Sequence, residues 1–332
     1  MRVLKFGGSS LADAAAISHV AQLVGEYFER CETALVCSAC AGVTNQLAQI
    51  IELVRAGRGI RALAKVWRLR ARHRTILFSL KLEGRKSSEQ VRVWNELEDL
   101  GAWLRTSVGG TAPRNAGAAW ADSVLSYGER ASARLVAGML RSNGMRAEAI
   151  DAARFLVTDG NFQNAAPLRD ETRLRGQRLL LPLIEQGVVP VVTGFIGATI
   201  GGETTTLGRN SSDFSAAIVG DVLDADEVWL WTDVDGVFDS DPRGGEGLQD
   251  ESSSNDEFTL LEELTYEEAV HLANRGAKVL HPGTIEPLRE KNIVLRIRNT
   301  FRPEHPGTRI SSGNARPAAD TPEPLAEESA TQ

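Results

Sequence analysis

Cysteine is scarce in this sequence: 332 residues contain three, Cys31, Cys37 and Cys40. That small odd number argues against a disulfide framework and fits a reducing compartment. Cys37-Ser-Ala-Cys40 has CxxC spacing, but a zinc site takes four ligands and only Cys31 is left to add. Two small buried thiols are the plain reading, a thioredoxin-like pair the alternative. No apolar run is long enough to span a bilayer. The N-terminus, Arg2-Val-Leu-Lys5, turns polar too soon for a secretory leader. Lys and Arg number 37 against 44 Asp and Glu, a formal net charge of −7. Wholesale nucleic-acid binding is therefore not expected. No internal repeat is present. The expectation is a cytoplasmic protein with neither nucleic-acid nor membrane partners, built as one large α/β domain or two closely joined ones.

The most chemically loaded stretch is Thr204-Thr-Thr-Leu-Gly-Arg-Asn-Ser-Ser-Asp213. An apolar, small-residue run from Phe214 to Val222 follows and reads as a helix. Asp213 thus stands where a glycine-containing loop becomes a helix start. Backbone N–H groups there are free and favour anions. Arg209 can grip a carboxylate or phosphate with two parallel hydrogen bonds. The bland alternative is that Ser211, Ser212 or Asp213 merely caps the helix.

At the other end of the chain, Val3–Phe6 reads as a strand, Gly7-Gly8-Ser9-Ser10 as a turn, and the next residues as a helix. Those are the parts of a phosphate cradle, with Lys5 placed to neutralise oxyanions. The lysine precedes the turn, so this is not a P-loop. Thr33–Ser38 is a second strand. Arg55 to Arg74 carries eight basic residues and no acid, with apolar residues at helical spacing. It is either an amphipathic helix with a solvated basic face or a dock for an acidic partner. Residues 56–115 read as a helical insertion on the main sheet, with Trp94 and Trp103 as core.

Gly128-Glu129-Arg130 lies inside a helical pattern. Glycine there costs about 1 kcal/mol against alanine, so the position needs close approach. Glu129 is either half of a surface ion pair with Arg130 or a carboxylate for a substrate ammonium. Val188–Thr193 and Glu227–Thr232 read as buried strands. The second ends in the acid-rich Asp233-Val-Asp235, either an Asx turn or a ligand site at a strand's carboxyl end. Thr265 and Glu268 stand at capping-box spacing. Lys278 sits beside glycine and proline, either solvated or reaching a phosphate. Residues 313–332 read as a disordered tail.

Taken together, KFGGSS (5–10), SACAGVTN (38–45), SYGERASA (126–133), VTGFIG (192–197), TTTLGRNSSDFSAA (204–217), WTDVDGVFDSDPR (231–243), LTYEEA (264–269) and GAKVLHP (276–282) resemble the catalytic domain of aspartate kinases, in the amino-acid kinase superfamily. The resemblance covers residues 2–312 in order. It implies a three-layer αβα sandwich around a mostly parallel eight-stranded sheet. An N-terminal lobe, about residues 1–200, would hold the amino acid, and a C-terminal lobe, about 201–312, the nucleotide. The reaction would be phosphoryl transfer from MgATP to the side-chain carboxylate of L-aspartate, opening the route to lysine, threonine and methionine.

By the same resemblance, Lys5 and Gly7-Gly8-Ser9 would stabilise the transferring phosphoryl group. Thr44, Glu129, Phe195, Arg209 and Ser212 would line the aspartate pocket, Arg209 taking the α-carboxylate and Glu129 the ammonium. Asp213 would organise the reaction centre. Thr232, Asp233, Phe238 and Arg243 would hold the nucleotide, and Lys278 its β- and γ-phosphates. Mg²⁺ would be held mainly by phosphates and water, with no protein metal ligand. A homodimer is expected. The ACT regulatory domains of the family are expected to be absent, leaving control to a separate subunit. Ser211 stands where the family has glycine, and Phe238 where it often has tyrosine. Two alternatives stay open: a related acyl-phosphate-forming kinase with another amino acid, or a non-catalytic binding subunit.

Overall fold

Residues 33–37, 189–193 and 228–231 are almost wholly apolar, which is what burial on both faces requires. In the computed structural model, which describes residues 1–28, 31–80, 86–109, 117–208, 211–238, 259–274 and 282–313, they form the middle of one large sheet. Its strands are β1 (Arg2–Phe6), β2 (Thr33–Cys37), β3 (Ala147–Ile150), β5 (Val189–Thr193), β8 (Glu227–Thr232), β11 (Glu263–Thr265), β12 (Val294–Asn299) and β13 (Thr308–Ser311). The smaller strands are β4 (Val157–Thr158), β6 (Ile196–Thr199), β7 (Thr204–Thr206), β9 (Val237–Phe238) and β10 (Leu260–Leu261). The helices are α1 (Ala14–Phe28), α2 (Val43–Arg55), α3 (Gly59–Ser79), α4 (Lys86–Gly109), α5 (Ala118–Leu125), α6 (Tyr127–Ser142), α7 (Arg169–Glu185), α8 (Ser212–Leu223), α9 (Tyr266–Asn274) and α10 (Pro282–Glu290).

The large sheet has eight strands in the order β11-β13-β12-β8-β1-β2-β5-β3. Every neighbouring pair is parallel except β12 with β13. Side chains alternate across a strand, and here the alternation divides the interior in two. Leu4, Phe6, Leu35, Cys37, Val191, Trp229 and Trp231 enter one core with α1, α2 and α6. Val3, Ala34, Val36, Val192, Val228 and Leu230 enter the other with α7, α8 and α10. The expected three-layer sandwich with a mostly parallel eight-stranded sheet is what the structure has.

The segment expected as an insertion is the hairpin of α3 and α4, packed on α2 and α6 and sharing their core through Ala62, Val66, Leu69, Leu97 and Leu104. Its basic face is not simply solvated. Arg70 and Arg74 both reach Glu98, and Arg72 donates to Ala41 O at 2.8 Å and Ala12 O at 3.1 Å. Trp94 and Trp103 pack against this core. Cys37 and Cys40 are buried free thiols; burial pushes Cys40 up to about 12, so neither is a ready thiolate. The capping box forms: Thr265 N–H donates to Glu268 Oε2 at 2.8 Å and Glu268 N–H to Thr265 Oγ1 at 3.2 Å.

Thr204–Thr206, at the head of the most chemically loaded stretch, is strand β7 paired with β6. Its hydroxyls are spent inside the fold. Thr205 bonds Thr158, Thr206 bonds Asp122, and Thr204 accepts from Arg130. The expected tail lies, but for its first residue, outside the described residues.

Candidate active site

Four adjacent parallel strands, β8, β1, β2 and β5, end at the same edge, with Phe6 level with both Trp231 and Cys37. Such an edge, where strand order reverses around the first strand, is where α/β sheets bind ligands. Gly7 continues β1 by donating to Trp231 O at 3.2 Å. Gly8 then passes so close to the β2 loop that a Cβ on it would lie 3.0 Å from Ala39 O. Ser9 begins a short 3₁₀ turn.

Lys5, one residue before the end of β1, is nearly buried, and its Nζ lies 2.6 Å from Asp213 Oδ1. A Cβ on Gly7 would lie 3.6 Å from the same Nζ. The ammonium thus sits beside the glycine turn. Asp213 occupies the first turn of α8. Ser211 stands at the N-cap position, but its side chain does not cap this helix. Ser211 Oγ instead donates back to Gly208 O at 2.7 Å. The bland capping reading therefore fails for Ser211. Among the described residues no side chain takes the orphan N–H groups of this helix start, which suits an anion.

Glu129, in the first turn of α6, is 3% exposed. Its Oε1 accepts the Ala39 N–H at 3.2 Å, while Oε2 is buried with no partner among the described residues. Burial is the main cause that pushes its carboxyl up to about 8, against weaker lowering by the N–H groups of Glu129 and Ala39 and by the Arg130 charge. The surface ion pair with Arg130 does not form. Arg130 donates to Asp151 at 2.6 Å and to Ser126 at 2.8 Å. Gly128 is where close approach is needed: a Cβ would lie 2.6 Å from the Ala39 Cβ. Ala39 thus joins the glycine turn to the buried carboxylate.

Thr44 lies half-buried in the first turn of α2, just past Gly42 at φ +75°. Phe195 follows β5 in the left-handed region at φ +68°. A bulky side chain there costs about 1–3 kcal/mol, and such strain clusters at functional sites. Gly194 before it leaves room for Ser212, since a Cβ would lie 3.1 Å from both Ser212 Cβ and Oγ. On the β8 side, Thr232 O accepts from Thr300 N–H at 2.8 Å and Thr232 Oγ1 donates to Asp233 Oδ1 at 3.3 Å. Asp235 is held by Asn299 at 2.8 Å and Arg302 at 2.6 Å rather than by a local Asx turn. Phe238 pairs with Leu260 in the β9–β10 ribbon.

The structure therefore brings Lys5, Gly7, Gly8, Ser9 and Asp213 together. Glu129 joins them through Ala39, and Ser212 lies beside Gly194, next to Phe195. Arg209, Arg243 and Lys278 lie outside the described residues. Among the described residues no group of three or more His, Cys, Asp or Glu could hold a metal. Chemically, a cation, a glycine turn and an open helix start suit a phosphoryl group. A buried carboxylate with a free oxygen suits a cation.

The sequence matches the amino acid kinase family over residues 1–299. The chain belongs to that family. Within it, the lysine-sensitive aspartokinase 3 of Escherichia coli is 31% identical over 317 residues, 95% of this chain and 65% of that one. A chloroplastic aspartokinase 3 of Arabidopsis thaliana is 33% identical over 313 residues, covering 93% and 52%. The crystal structure of E. coli aspartokinase III in complex with aspartate and ADP superposes with a TM-score of 0.77 at 30% identity, covering 94% of this chain and 64% of that one. The chain thus spans less than two thirds of the length of these relatives.

Sequence reasoning passed over three positions. Asp122, fully buried, accepts Gln163 N–H, Thr206 N–H and the Thr206 hydroxyl at 2.8, 2.8 and 3.0 Å. The Ala39 N–H serves Glu129, and Ser215 serves Phe195. An acid inside an apolar helix was a signal for the first. Nothing local marks the other two.

Proposed function

We propose that this chain transfers the γ-phosphoryl group of ATP to the side-chain carboxylate of L-aspartate, giving 4-phospho-L-aspartate and ADP. The observation that carries the reading is Glu129. It is a buried carboxylate whose Oε2 has no partner among the described residues, linked through Ala39 to the turn beside Lys5. Leaving such an oxygen unpaired is costly. A substrate ammonium supplies the missing partner, so the acceptor is an amino acid. The likeness to aspartokinases, one of them solved with aspartate and ADP, selects aspartate.

The acceptor is already an anion, so no strong base is required. Catalysis then rests on in-line positioning and on neutralising oxygen charge. Lys5 and the N–H groups of the Gly7–Ser9 turn and of the α8 start meet the transferring oxygens. Asp213 holds the Lys5 ammonium in place. Thr44, Phe195, Arg209 and Ser212 line the amino-acid pocket, and Arg209 takes the α-carboxylate. Thr232, Asp233, Phe238 and Arg243 hold the nucleotide, and Lys278 its terminal phosphates. The carboxylate beside the turn, Asp213, is engaged by Lys5, which fits Mg²⁺ carried in on the nucleotide with water. The ion supplies further neutralisation of phosphate charge. We read the enzyme as a cytoplasmic homodimer that opens the route to lysine, threonine and methionine.

The test is an ADP-release assay with aspartate, glutamate and other acidic amino acids, with hydroxylamine trapping of the acyl phosphate. Aspartate-dependent ADP release with hydroxamate formation is expected. Turnover only with a different amino acid would give the reaction another substrate. Nucleotide binding without turnover on any of them would make the chain a binding subunit.

A further inference from the structure

Phe195 holds a left-handed backbone with a large side chain, and that conformation persists only if its surroundings determine it. Both of its backbone polar groups are engaged. Its carbonyl accepts from Leu207 N–H at 2.9 Å. Its N–H donates to Ser215 Oγ at 2.8 Å. Ser215 is 1% exposed, and the same hydroxyl donates to Ser211 O at 3.1 Å. One hydroxyl proton and two lone pairs allow both bonds at once. Ser211 in turn closes onto Gly208 O through its own hydroxyl at 2.7 Å. Two buried serines on successive turns of one helix start therefore tie three segments together. These are the Gly194–Phe195 turn, the start of α8 and the residue that ends the 207–208 segment.

We propose that Ser215 is a positioning residue that sets amino-acid selectivity, by holding Phe195 and the α8 start as one rigid wall of the substrate pocket. The proposal rests on the pocket assignment made under the proposed function. A wall that cannot give discriminates by chain length. Glutamate carries one more methylene than aspartate and needs the wall to retreat. With Ser215→Ala the Phe195 N–H is left buried without a partner, and nothing on the helix side holds the positive φ. The wall then relaxes. Ser215 touches neither substrate nor nucleotide in this arrangement, so the nucleotide side is spared.

The experiment compares wild type and Ser215→Ala in the full chain. Steady-state kinetics are run with aspartate, glutamate and ATP, alongside hydrogen exchange of the peptide spanning 194–197. A methylene is worth on the order of tenfold in selectivity. The expected result is an aspartate KM raised about tenfold and an aspartate-over-glutamate ratio of kcat/KM lowered about tenfold. The ATP KM stays within about twofold, and exchange at Phe195 becomes faster. Unchanged selectivity overturns the proposal, and so does a uniform loss in every parameter together with lower thermal stability, because that is what a merely structural serine gives. If wild type fails to phosphorylate aspartate, the substrate reading falls instead. The exchange measurement then decides the clamp by itself: unaltered exchange at Phe195 in the variant overturns it.

Discussion

The Lys5 ammonium and the Asp213 carboxylate lie 2.6 Å apart, one on the first strand of the sheet and the other in the first turn of α8. The contact is an ion pair without the alignment of a hydrogen bond. The lysine is thus held but not saturated, and its protons remain for phosphate oxygens. We expect Lys5→Ala to lower kcat by about 10²–10³, as removal of one transition-state donor does, with a smaller change in aspartate KM. Asp213→Asn should keep the packing and lower kcat as well. Steady-state kinetics with both substrates varied checks this; near-normal kcat in Lys5→Ala would remove it from the reaction centre.

Glu129 gives a pH signature. Its carboxyl is pushed up to about 8 from an ordinary 4.5, chiefly by burial, with Arg130 as the charged neighbour that lowers it. Between those values the folded chain holds a proton that the unfolded chain releases. Stability should therefore fall as pH rises from about 4.5 to 8. An arriving ammonium favours the carboxylate, so aspartate binding below pH 8 should release a proton, and its KM should fall as pH approaches 8. In Glu129→Gln both slopes should flatten and the KM should rise. Urea unfolding, and calorimetry in buffers of different ionisation enthalpy, read the two effects. Slopes that survive in the variant would assign them to another group.

Gly128→Ala separates packing from propensity. Helix propensity alone favours alanine by about 1 kcal/mol. The added methyl would meet Ala39 Cβ at 2.6 Å and Val43 Cγ1 at 3.0 Å. Overpacking of this kind costs about 1–3 kcal/mol, so the clash should win. It should also move Ala39 and with it the Glu129 carboxylate. Urea denaturation of the variant should show a net loss of stability and a raised aspartate KM. A more stable variant would mean that α6 and the β2 loop do not meet this closely.

Arg72 joins the α3–α4 hairpin to the site loops through Ala41 O and Ala12 O. Each of two charge-assisted bonds contributes about 1.5–3 kcal/mol when its acceptor would otherwise be unpaired. Arg72→Ala should destabilise the chain by about 2 kcal/mol or more on that basis. Arg72→Lys should recover only part, since one ammonium does not reproduce the fork that spans both carbonyls. Equal stability of all three proteins in urea would show that the hairpin is not anchored there.

Much of this protein was legible in local chemistry. Short continuous apolar runs marked β1, β2, β5 and β8, because a strand buried on both faces needs apolar side chains at nearly every position. Gly7-Gly8-Ser9 announced a tight turn, and Thr265 with Glu268 announced a helix start, because turn and cap energetics involve only neighbours in the chain. The resemblance carried by motif order gave Lys5, Glu129 and Asp213 as candidates for one site. The tertiary structure alone decided what those residues meet. Whether Glu129 would pair with Arg130 or stand buried against Ala39 depended on packing between segments 90 residues apart. That packing removes water from one carboxylate oxygen and leaves it unpartnered. The same holds for Ser215 under Phe195, for Asp122 under Thr206, and for the pairing of Thr204–Thr206 with β6. Desolvation and long-range hydrogen bonds exist only once the layers have closed, so no local pattern carries them.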